Sequence, residues 1–92
     1  MTATEQASPL TDALRARLQG ALQPDLLEIR DDSALHTGHA GAREGGHFHV
    51  LIRSAKFAGL MPLARHRLVY AVVGDLIGRG VHALSIDARL PS

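Results

Sequence analysis

The chain contains no cysteine. It therefore forms no disulfide, offers no thiol nucleophile and builds no thiolate zinc site. It cannot hold an iron–sulfur cluster alone, because most ligands of such clusters are thiolates. Aromatic residues make up only 3% of the sequence, so stacking platforms for single-stranded nucleic acid are scarce. The net charge of +1 supplies no strong basic field for a polyanion or an anionic membrane. No apolar run reaches the roughly 18 residues that a membrane span requires. The first ten residues, MTATEQASPL, have neither a basic start nor an apolar core; a signal peptide is not expected, and a cytoplasmic location is. No nucleophile elbow or phosphate loop is present, and the Asp31, Asp32, Ser33 and His36 group suits a turn better than a hydrolytic site. The chain is therefore not expected to be an enzyme.

What is present suits one domain. The 92 residues are 46% hydrophobic and 21% charged, and a chain of this length buries roughly 60–70% of its unfolded surface. Residues 1–7 read as a disordered tail and 8–92 as the domain. Ser8-Pro9 starts a helix, with Ser8 as cap and Pro9 at the first position. Leu10, Leu14, Leu18 and Leu22 recur every four residues, joined by Ala21, and Pro24 ends the helix. Leu26 to Asp32 alternates as a strand, with Leu27 and Ile29 on one face. His47 to Ser54 alternates likewise: Phe48, Val50 and Ile52 point to the core, and His47, His49, Leu51 and Arg53 away from it. Lys56 to Gly59 is a short helical turn at most. Pro62 opens a second long helix whose inner stripe is Val69, Val72, Val73 and Leu76, widened by Tyr70 and Ile77. Gly78 and Gly80 stop it, with Arg79 suited to its negative end. Val81 to Ala88 is a third strand. The order α-β-β-α-α-β implies an α+β fold with a three-stranded mixed sheet and helices on one face. Its second and third strands are parallel through a right-handed crossover.

The stretch from Asp31 to Val50, DDSALHTGHAGAREGGHFHV, holds four of the six histidines. Loops of this length without secondary structure are uncommon in compact domains, and glycines at 38, 41, 45 and 46 make this one pliable.

Taken together, DDSALHTGHAG, HFHVLIRSAKFAG, LARHRLVYAVV and VHALSIDARLP resemble the BolA family, over nearly the whole chain from Leu22 to Pro91. The Arg65-to-Tyr70 segment, RHRLVY, and the His82-Ala83-Leu84 triplet carry the resemblance most specifically. It implies a KH-like fold with the element order above. It also implies a [2Fe–2S] cluster shared with a monothiol glutaredoxin and glutathione, in cluster trafficking or iron and redox sensing. For some bacterial members it implies a DNA-binding transcriptional regulator of morphology and stress response.

On that resemblance His82 is the first cluster ligand; by itself it would read as a strand-end histidine bonded to a neighbouring carbonyl. His39 is the second ligand, from within Gly38-His39-Ala40, with His36 as its alternative. A helical zinc pair made by these two is disfavoured by the flanking glycines. His47 and His49, on the outer sheet face, read as surface or partly covered positions, and His66 as a partly buried structural histidine. The alternative, nucleic-acid-binding reading uses Arg53, Lys56, Gly59, Arg65 and Arg67. A KH module clamps nucleotides with a GxxG loop, whereas this chain has Gly59-Leu60-Met61-Pro62. When alone, the chain is expected to be a monomer or weak homodimer.

Overall fold

Hydrophobic spacing and the two helix-opening prolines define the observed elements. A computed structural model describes residues 9–32 and 46–91. The expected tail, the Ser8 cap, His36 and His39 lie outside the described residues. Helix α1 spans Pro9–Leu22, strand β1 Leu26–Asp31, strand β2 Gly46–Arg53, helix α2 Pro62–Val73 and strand β3 Val81–Arg89. Single 3-10 turns occupy Ala55–Phe57 and Gly74–Leu76.

Leu14, Leu18 and Leu22 of α1 are buried and Leu10 packs beside them, as the four-residue spacing requires. Ala21, expected to join that stripe, is exposed. It stands in the last turn of α1, where its single methyl stays at the surface. Gln23 closes the helix in the left-handed region at φ 46°, its N–H donating to the Gln19 carbonyl at 3.2 Å.

The sheet order is β1-β2-β3. β1 and β2 are antiparallel, with Leu27 opposite Ile52 and Ile29 opposite Val50. β2 and β3 are parallel. Phe48, Val50 and Ile52 form the buried face of β2 and meet Val81 and Leu84 of β3, the leucines of α1, and Val69 and Val73 of α2. Phe57, from the first 3-10 turn, fills the same core.

Two expectations for α2 need correction. Its α-helical hydrogen bonding ends at Val73, and Gly74–Leu76 tightens into a 3-10 turn instead of continuing to Gly78. Glycine is among the poorest helix formers, and tightened last turns are common at helix ends. His66 is exposed rather than partly buried. The row that reaches the core runs through Val69 and Val73, so the inward position one turn earlier belongs to Arg65, which is half-buried.

Ser54 ties three elements together. Its hydroxyl donates to the Leu22 carbonyl at the end of α1 at 2.6 Å and accepts from the Lys56 N–H at 3.0 Å, with the residue 1% exposed. An exposed ion pair between Arg17 and Asp75 joins α1 to the turn after α2. Such a pair adds little, whereas an orphaned buried carbonyl carries its desolvation cost. Ser54→Ala should lower stability by about 1–3 kcal/mol. Denaturant unfolding would show this as a reduced midpoint at unchanged slope.

Candidate functional site

The start of β2 and the start of β3 lie side by side because the strands are parallel. Each begins after a glycine and carries a histidine within its first two residues, His47 and His82. The register shifts between them: Gly46 pairs with Val81, but His47 pairs with Ala83. His82 is thus the extra residue of a β-bulge. Such insertions are rare in parallel pairs, and they re-aim a side chain. Val81 and Leu84 both reach the core while His82 is exposed. The result is a pair of imidazoles with ring centroids 5.3 Å apart and planes tilted by 50°. His47 is half-buried and its Nε2 is shielded from solvent.

Two glycines permit this approach. The Gly46 N–H donates to the Gly80 carbonyl at 2.7 Å. A Cβ at Gly46 would lie 2.4 Å from the Phe48 ring and 3.2 Å from that carbonyl. Gly80 adopts φ +118°, and a Cβ there would meet Leu10 at 2.8 Å. On the other side of β2, the Asp32 N–H donates to the His47 carbonyl at 2.7 Å. Asp32 also accepts two hydrogen bonds from Arg30, at 2.6 and 3.1 Å. Asp32, His47, Phe48, Ala83, Leu84 and Ser85 line a depression of about 300 Å³. Residues 33–45 leave from Asp32 and return at Gly46, so their two anchors lie at the imidazole end of the sheet.

Neutral imidazole is a good ligand for zinc, copper, nickel and iron. Among the described residues no group of three or more His, Cys, Asp or Glu comes together to hold a metal ion. The pair therefore supplies at most half of a four-coordinate donor set. Sequence reasoning placed His47 at a surface or partly covered position, as observed, but missed its pairing with His82. The available signal was the parallel pairing itself, since HFHV and VHAL both open a strand just after a glycine.

The remaining histidines and cations lie elsewhere. His49 follows His47 on the same outer face, beside Asp87. The Arg89 hydrogen bond holds the Asp87 carboxyl below its ordinary value against the opposing effect of burial, and the charges of Arg89 and His49 lower it further. His66 stacks on Tyr70 with centroids 4.7 Å apart. Arg53 ends β2 opposite Arg89, some 23 Å along the strand from Gly46 at about 3.3 Å per residue. Lys56, Gly59 and Arg67 are exposed, with Gly59 at φ +80°. Arg65 Nε donates to the Leu60 carbonyl at 2.9 Å and its Nη1 to the Ala88 carbonyl at 3.4 Å. No helix among the described residues is long and apolar enough to cross a membrane.

Comparison with known proteins agrees with this fold. Residues 18–92 match a family model described as BolA-like protein. The human protein named BolA-like protein 1 is 44% identical over 84 residues, covering 91% of this chain and 60% of the relative. The chain thus spans about three fifths of that relative's length. A Vibrio cholerae protein named DNA-binding transcriptional regulator BolA is 36% identical over 77 residues, covering 84% of this chain and 71% of the relative. Among solved structures, the BolA domain of SufE1 from Arabidopsis thaliana superposes with a TM-score of 0.82 at 39% identity, covering 92% of this chain and 95% of that one.

Gly46→Ala should displace the Phe48 ring or open the Gly46–Gly80 contact, at a cost of about 1–3 kcal/mol for overpacking. Denaturant unfolding measures the loss, and His47 and His82 ring-proton shifts report whether the imidazole pair separates.

Proposed function

The chain belongs to the BolA-like family, and from that premise we propose that it binds a [2Fe–2S] cluster jointly with a monothiol glutaredoxin, in iron–sulfur cluster trafficking or in iron and redox sensing. The observation that carries this reading is the juxtaposition of two imidazoles from sequence-distant strands in a chain without thiolates. The donor set fits half of a cluster. Centres with two histidines and two thiolates exist in Rieske-type proteins. Here a glutaredoxin cysteine and a glutathione thiol would supply the sulfurs. His82, exposed on its bulge, is the first ligand. The second is His39 or His36, which belong to a segment anchored at this end, or else His47, already beside His82. Holding the imidazoles and orienting them is the work of this chain; it has no catalytic role in the reading. A cytoplasmic site of action belongs to the same reading.

The test uses a cluster-loaded monothiol glutaredoxin mixed with this protein and followed by visible absorbance and circular dichroism. His82→Ala should abolish the spectrum of the mixed complex, and an unchanged spectrum overturns the proposal. His47→Ala, His39→Ala and His36→Ala, read in the same way, identify the second ligand. Histidine binds metal only when neutral, so the complex should loosen as pH falls.

A second reading, DNA binding, draws on the Vibrio cholerae relative's name and on exposed Lys56, just past the end of β2, and exposed Arg67 of α2. Arg65, already bonded to two carbonyls, has fewer donors left for phosphate. Purified protein should retard promoter DNA at low salt and lose this as salt rises. Absence of retardation at low salt, where the phosphate term is strongest, removes the reading.

A further inference from the structure

The RHRLVY segment has no part in the cluster reading, and the structure gives it a different task. Among the described residues β3 is the longest strand, nine residues, and lies at the edge of the sheet. An open edge of that length is a template for pairing with another strand. The Ser54 N–H donates to the Arg89 carbonyl at 3.0 Å, so the Arg89 carbonyl points toward β2. Backbone groups alternate sides along a strand, so the carbonyls of Leu84, Ile86 and Ala88 point to the open side.

Two of those three carbonyls are taken by side chains of α2. The Tyr70 hydroxyl donates to the Leu84 carbonyl at 3.0 Å. Arg65 Nη1 donates to the Ala88 carbonyl at 3.4 Å. Between them, His66 stacks on Tyr70 and, with Pro62, lines a hollow of about 280 Å³ against Ile86, Asp87 and Ala88. The motif thus runs alongside the edge for most of its length. β1, the other edge, is six residues long and carries charge at Glu28, Arg30 and Asp31, which blunts an edge without further help.

We propose that Arg65 and Tyr70 close the open edge of β3 to strand addition, above all to β3 of a second copy of this chain. An antiparallel β3–β3 pair would be two-fold symmetric and self-complementary, the commonest form of homodimer. It would need the Leu84 and Ala88 carbonyls that these side chains occupy. Removing the two donors frees acceptors that an incoming strand can use.

The experiment compares the unaltered chain with Tyr70→Phe, Arg65→Met and the double variant. Tyr70→Phe keeps the ring stacked on His66 and removes only the hydroxyl. Each protein is titrated with a synthetic peptide copying Val81–Arg89, and its own association is followed by sedimentation velocity over a range of concentrations. Each single variant should take up the peptide at least tenfold more tightly than the unaltered chain. The double variant should also self-associate, with the Ile86 amide becoming protected from hydrogen exchange in the pair. Adding Ser85→Lys to the double variant should suppress the pairing, as edge lysines do. Equal peptide affinity in the unaltered chain and both single variants overturns the proposal. So does self-association that leaves the Ile86 amide unprotected. Should the double variant fail to fold, the peptide titration of the single variants decides the matter.

Discussion

Parallel pairing of β2 with β3 is the constraint on which the other features depend. Strands that run the same way need a crossover, and here the chain from Ser54 to Gly80 supplies it, with α2 at its centre. The crossover covers one face of the sheet and closes the core between Phe48, Val50 and Ile52 and the two helices. It also brings the first residues of both strands to one end. Had the strands been antiparallel, the start of β3 would lie beside the end of β2, and His82 would neighbour Arg53 instead of His47.

The two ends of the sheet differ in chemistry as a result. At one end stand His47, His82 and Asp32, with close-packed glycines beneath them. At the other stand Arg53 and Arg89, facing each other across β2 and β3. α2 runs beside β3 and commits Arg65 and Tyr70 to its backbone. The same short motif thus serves the backbone of β3 and takes no part in the imidazole pair at the other end. A residue that satisfies a backbone carbonyl at a fixed place is as restricted in type as one that binds a ligand. A guanidinium can reach two carbonyls at once, and a phenol can place one hydroxyl beyond a packed ring.

The order of the elements was legible because each rests on local pattern. Leucines every four residues gave α1, strict alternation gave β2, and prolines at first positions fixed both helix starts. The mixed sheet followed from the crossover. What could not be read locally was set by tertiary contact. The bulge at His82 exists only in relation to the β2 register, so no property of VHAL alone announces it. The orientation of His66 was misjudged because valines at 69, 72 and 73 allow several inner faces, and packing against β3 selects the one with Arg65 inward. His82 was found through resemblance, not spacing. His47 was passed over because alternation places it on the outer face, and alternation does not tell which outer residues acquire neighbours from another strand.

The hydrogen bond between Gly46 and Gly80 ties together the strand starts that carry the imidazole pair. Beside it lies the turn from Ile77 to Val81, bridged at its two ends and containing Gly78 and Gly80 at positive φ. Whatever grips both rings at once also fastens the first residues of β3 to β2. Occupancy and the melting behaviour of this corner are then two readings of one equilibrium, since a ligand held only by the native arrangement raises its free energy of unfolding. Conversely, weakening the pairing of the strand starts would weaken any such grip by the same free energy.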